Sequence, residues 1–196
     1  MRSTIFAIMM LTLALAGCAT RTAKMTDESV LIGPELTLVM PHPGELNRTF
    51  EAVQLVSARY GERTFVFESH LSASPGHFLM VGLDSVGRKA MTITWTDTGI
   101  SYEAAPWVPE QLRPQNVLAD IVILYWPETS VHRSLIGGTL TTGLNTRSVM
   151  IGDKEIIHID YQPTHPGDLW SGRLNYKNLA WGYELDVQSL ESGNTP

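Results

Sequence analysis

Six histidines, His42, His70, His77, His132, His158 and His165, carry the side chain that titrates nearest neutrality and could serve as bases or metal ligands. Their spacing builds no known constellation. There is no HExxH, no Cys/His pair at ligand spacing, no G-x-S-x-G elbow and no glycine-rich loop before a helix. His158 and Asp160 are the pair that an alternating strand places on one face, at i and i+2, where a carboxylate could orient a base or both could hold a metal. Opposite them stand Ile157, Ile159 and Tyr161. Alternating strands bring polar residues together on a solvated face as a matter of course, so the pair reads as surface. Neither an enzymatic activity nor a cofactor is expected.

The apolar residues offer more. Turn signals recur at hairpin intervals at Gly61, Ser74-Pro75-Gly76, Asp84-Ser85-Val86-Gly87 and Thr96-Asp97-Thr98-Gly99, the punctuation of a β-meander. Between them the pattern has period two, clearest in residues 89–96, where Met91, Ile93 and Trp95 share a face. Phe65-Val66-Phe67 is apolar on both faces, which implies two-sided burial. Residues 114–126 open with Pro114, run to Pro127 with Asp120 the polar residue of the 117–126 stretch, and are predicted as a helix that must be covered on most sides. A second short helix is predicted over 128–136, stopped by Gly137-Gly138. Strands resume over 139–145, 147–152, 155–161, 171–177 and 181–188.

This order predicts a mainly β (α+β) fold: a strongly curved antiparallel sheet of about ten strands, an incomplete barrel, with two short helices as its lid. Such a sheet has more concave surface than two short helices fill, and the remainder must collapse, pack with side chains or hold a ligand. The expected lining of an apolar cavity is Phe65, Phe67, Met91, Ile93, Trp95, Tyr102, Ile159, Trp181, Tyr183 and Leu185 from the sheet, with Val117, Ile121, Leu124 and Tyr125 from the first helix. An ordinary packed core would use the same residue types.

The chain has 196 residues, with 14 Lys+Arg against 20 Asp+Glu and a formal charge of -6. That balance lacks the basic footprint of nucleic-acid binding, and a single cysteine forms no intramolecular disulfide. Arg2 and the apolar run 5–15 read as an export signal, too short for a permanent span. The following Leu15-Ala16-Gly17-Cys18 resembles the lipobox of bacterial lipoproteins, which implies acylation of Cys18 and a membrane partner through its acyl chains; Ala19 implies sorting to the outer membrane, with the domain facing the periplasm. The expected division is a signal peptide at 1–17, a lipidated N-terminus and tether at 18–33, a domain at 34–190 and a disordered tail at 191–196.

The element order, and the hairpin His77-Phe78-Leu79-Met80-Val81-Gly82-Leu83-Asp84-Ser85-Val86-Gly87 in particular, resembles the LolA/LolB lipoprotein-localisation fold. The Tyr125-Trp126-Pro127 ending of the first helix and the closing Gly182-Tyr183-Glu184-Leu185 are similar to a family of small proteobacterial lipoproteins of unknown function, often encoded among aryl polyene lipid genes. The resemblance implies an incomplete barrel with a helical lid over an acyl-chain cavity, and a hydrophobic or acylated ligand. It also implies a membrane-contacting loop in which Val86 stands where LolB has an exposed leucine and Ser85 replaces the preceding proline. The alternative is a structural or assembly lipoprotein that docks on envelope proteins and holds no ligand.

Overall fold

The computed structural model describes residues 20–25, 28–109 and 112–193, with side chains as far as 190. The strands among them are β1 (Arg21–Lys24), β2 (Ser29–Gly33), β3 (Leu36–Val39), β4 (Phe50–Tyr60), β5 (Arg63–Ser74), β6 (His77–Asp84), β7 (Lys89–Thr96), β8 (Gly99–Ala104), β9 (Leu135–Ile136), β10 (Thr139–Thr142), β11 (Thr146–Ile151), β12 (Lys154–Gln162), β13 (Arg173–Asn178) and β14 (Tyr183–Gly193). Two helices, α1 (Pro114–Tyr125) and α2 (Glu128–Ser134), lie between β8 and β9. Eleven strands form one sheet in the order β1-β8-β7-β6-β5-β4-β14-β13-β12-β11-β10, every pair antiparallel, and it is not closed. A second sheet joins β2, β3 and β9.

Alternation decides which face of the large sheet is dry. Phe78 and Met80 of β6, Met91, Ile93 and Trp95 of β7, Ile157, Ile159 and Tyr161 of β12, and Leu174 and Tyr176 of β13 are all buried. Between the two meanders that carry these strands, β14 pairs with β4 over nearly the full length of both.

α1 begins with proline at its first turn and ends against Pro127, so it is framed by two residues that cannot continue a ladder. From Leu118 to Tyr125 every residue is buried. A helix apolar nearly all round needs cover on both sides. The large sheet supplies one side, and β2 packs against the helix as well. Asn116 Nδ2 donates to the Leu31 carbonyl oxygen at 3.4 Å, and Asn178 Nδ2 of β13 to that of Ile32 at 2.9 Å, which ties the small sheet to both layers. The helix C-terminus is held by the buried Arg147 of β11, whose Nη1 donates to the carbonyl oxygens of Ile123, Leu124 and Trp126 at 3.0, 3.3 and 2.9 Å. Those carbonyls lack partners within the helix, and a guanidinium there also meets the negative end of the helix dipole.

Several expectations need correction. Residues 18–33 are not all tether: β1 pairs with β8 at the sheet edge, and β2 carries the buried Val30 and Ile32. Residues 191–193 extend β14 along β4 rather than starting a tail, and 194–196, like Cys18, lie outside the described residues. The second helix stops at Ser134, because Leu135 and Ile136 leave it to pair with β3. Gly137 and Gly138 serve that close approach: a Cβ on Gly137 (φ +90°) would sit 2.1 Å from the Glu35 carbonyl oxygen, and one on Gly138 2.7 Å from that of Met150. The two-sided burial expected of Phe65-Val66-Phe67 is absent. Val66 is 46% and Phe65 41% exposed, since this end of β5 extends toward the open end of the cavity described next.

Candidate functional site

α1 does not lie flat on the whole concave face. Where it leaves room, a cavity of ≈ 650 Å³ opens between the helix and strands β4, β5 and β14. Its deep end is bounded by the buried Gln54, Leu71, Met80, Tyr125 and Val187, and its mouth by Tyr60 and Arg63 of the β4–β5 hairpin, Arg113 ahead of α1, and Trp181 of the β13–β14 turn. The six steps from Gln54 to Tyr60 along β4 give it a length of about 20 Å at the usual strand rise. One leaflet of a bilayer's hydrocarbon core is shorter, about 15 Å.

Nine of the residues expected at a cavity do line it: Phe65, Phe67, Val117, Ile121, Leu124, Tyr125, Trp181, Tyr183 and Leu185. Met91, Ile93, Trp95, Tyr102 and Ile159 do not line it, and for these the expectation is corrected. Trp126 fills that part of the concave face: its ring stacks on Trp95 with centroids 5.2 Å apart and meets Phe78 edge-on at 5.5 Å. Ile159 packs into the closed core beside Tyr161, whose hydroxyl donates to the Leu124 carbonyl oxygen at 2.7 Å. Tyr102 is half-buried near the start of α1, where its hydroxyl accepts from Gln115 Nε2 at 3.4 Å. At the other flank Tyr125 stacks on Trp170 at 3.7 Å, with Phe50 against the same indole.

Away from the mouth, the polar groups in the lining are few, and Gln54, Asp120 and the phenols beside them are held. Gln54 Nε2 donates to the Tyr125 hydroxyl at 2.9 Å. Asp120, the lone acid of α1, receives the Tyr176 hydroxyl at 2.7 Å and has the Tyr183 hydroxyl 2.8 Å from both its oxygens. Burial disfavours its charge, and although the two phenols favour the anion, its pKa is pushed up to about 7. Both tyrosines are pushed well above the ordinary phenol range, first by burial and then by the neighbouring carboxylate. Asp120 is a site residue that patterning alone flags only as a polar break in an apolar helix.

His158 and Asp160 meet, but on the outer face of β12 and away from the cavity. The Nε2 of His158 is 3.1 Å from Asp160 Oδ2, and its Nδ1 is 2.7 Å from Glu155 Oε1, a partner that alternation does not reveal. With a carboxylate at each ring nitrogen the imidazolium is favoured, chiefly through the Glu155 hydrogen bond, and neither nitrogen keeps a lone pair free to accept a proton. An NMR titration should find the His158 pKa above its ordinary value, and Glu155→Gln should lower it; an unshifted His158 would contradict this geometry. No group of three or more His, Cys, Asp or Glu side chains that could hold a metal occurs among the described residues. Val86 stands at the tip of the β6–β7 hairpin, 74% exposed, in a turn closed by Asp84 Oδ1, which accepts from the amides of Val86 and Arg88 at 3.0 and 2.8 Å.

No curated protein matches the chain. A family model described as "Protein of unknown function (DUF3261)" matches residues 51–191, a span that holds every lining side chain among the described residues, from Gln54 to Val187. The described part of the cavity lies within the family's own segment, and the chain belongs to that family.

Proposed function

We propose that this protein binds an apolar or acylated molecule, such as lipoprotein acyl chains or a polyene lipid, in the cavity beneath α1. It does so without catalysis, as a lipoprotein held at the outer membrane by acyl chains on Cys18. The observation that carries this reading is the ≈ 650 Å³ of space bordered mainly by aliphatic and aromatic side chains and open at one end. That volume falls within the range of about 300–1,000 Å³ usual for ligand sites. Apolar walls facing a void lack the dispersion contacts of a packed core, and a hydrocarbon tail restores them, each buried methylene contributing about 0.8 kcal/mol with no need of a hydrogen-bond partner.

The resemblance to the LolA/LolB fold supports the same use of a half-barrel and lid. So does the apolar run 5–15 followed by the lipobox-like Leu15-Ala16-Gly17-Cys18, since acyl chains on Cys18 keep the cavity near a source of lipid. The exposed Val86 supports contact with that bilayer through the β6–β7 tip. No helix among the described residues is long and apolar enough to cross a membrane.

The test is the lipid content of the full chain carrying Cys18→Ala, purified beside a control lipoprotein treated alike. Mass spectrometry of organic extracts should show a lipid class enriched over the control. Ala58→Trp sets an indole into the cavity from β4 and should lower that enrichment about tenfold with the unfolding midpoint preserved. Equal extracts from this protein and the control would overturn the reading and leave a structural or assembly role.

A further inference from the structure

Charge at the cavity runs against the charge of the chain. Acidic residues outnumber basic ones overall, 20 to 14, yet among the described residues the Arg, Lys, Asp and Glu side chains lining the cavity are Arg59, Arg63, Arg113 and Asp120. They are also sorted by depth. The three arginines are exposed, whereas Asp120 is buried under the helix. Arg59 already pairs with Glu184 at 2.5 Å. Arg63, at the start of β5, and Arg113, just ahead of α1, enter no ion pair among the described residues. One comes from the sheet side of the mouth and the other from the helix side.

Two guanidiniums with unused donors at the rim of an apolar hole match a planar or tetrahedral anion, which each can engage through two parallel hydrogen bonds. The adjoining N-terminus of α1, which has no side-chain cap, adds partial positive charge on the same side. The interior is arranged the opposite way. There a carboxyl group is held by two phenols, and it repels an anion whenever it is ionised. An anionic head is therefore drawn to the rim and kept out of the depth, while the tail follows a mainly apolar wall.

We infer that the molecule held here is an anionic amphiphile, tail inward beneath α1 and carboxylate or phosphate head at the mouth with Arg63 and Arg113. This rests on the cavity being a ligand site and adds the class of ligand it takes.

The test displaces a fluorescent fatty acid, cis-parinaric acid, from the delipidated full chain carrying Cys18→Ala, using hexadecanol, palmitate, hexadecyl phosphate and hexadecyltrimethylammonium as competitors of equal tail length. Palmitate and hexadecyl phosphate should compete about tenfold better than hexadecanol, the modest gain of partly solvated charge pairs, and the gap should narrow as salt is raised. The cationic competitor should be the weakest. The double variant Arg63→Gln, Arg113→Gln should weaken the probe, itself an acid, and bring the acids to the level of the alcohol, while the inhibition constant of hexadecanol, corrected for the weaker probe, stays as before. Hexadecanol matching palmitate in the unsubstituted cavity, or the cation competing best, would overturn the anionic head while leaving the apolar site intact; that comparison needs no variant to fold. Failure of every competitor and of the probe itself to bind would overturn the site as well. If displacement favours phosphate over carboxylate, the head is a phospholipid's or similar ester; if the reverse, a free acid.

Discussion

Between about pH 4 and pH 8, the free energy of unfolding falls relative to that of Asp120→Asn by about 4 kcal/mol. Asp120 has its pKa raised from 3.8 to about 7 by burial in the layer between α1 and β13–β14. Across that interval the folded chain keeps a proton that the unfolded chain has released, so stability is lost as pH rises and the loss is complete above about pH 7. Paired surface carboxylates such as Glu155, held below the ordinary range by the Ser148 hydroxyl and His158, act in the opposite sense at the acid end. Subtracting the asparagine variant removes them. Chemical denaturation of both chains at a series of pH values checks this; parallel curves would mean that the carboxyl is solvated when folded. Asparagine keeps an oxygen for the tyrosine hydroxyls, so the variant should be the more stable chain on the alkaline side.

Arg147→Met should cost about 3 kcal/mol, the value of charge-assisted hydrogen bonds lost to groups that stay buried. For a chain of this size that is a fall in Tm of about 6–12 °C. Its Nη1 serves three carbonyl oxygens at the end of α1, and among the described residues only that of Leu124 has a second donor, the Tyr161 hydroxyl. Methionine fills much of the space but donates nothing. Lysine should recover part of the loss, because one ammonium reaches fewer of these oxygens. Thermal unfolding followed by near-ultraviolet circular dichroism reads both variants, and the stacked Trp95–Trp126 pair supplies the signal. A methionine variant as stable as the parent would show that the helix end needs no charge.

Patterning was most informative where side chains alternate against a core. The turns at Gly61, Gly76, Gly87 and Gly99, the strands between them and a helix starting at Pro114 were all readable, because each combines a backbone requirement with an apolar face. β1 was not, since Arg21–Lys24 is polar and joins the sheet through its backbone at an edge, which leaves no periodic trace. β2 and β3 were missed for a related reason: short strands before a sequence dominated by one meander gave no sign that they form a separate layer over α1. The cavity was half legible. Trp95 and Trp181 are both large aromatic residues in predicted strands, yet Trp126 covers the first and a mouth opens beside the second. The path of one helix over the sheet makes that distinction, and local composition does not encode it.

The pairing of β14 with β4 bears on how the molecule is assembled. Each meander can form from neighbours in the chain, but the seam joining them unites segments separated by almost everything else in the domain, so its loop-closure cost is met late and without local help. Until that seam closes, the two half-sheets expose raw edges and an unroofed apolar surface, and the hollow does not exist in either half alone.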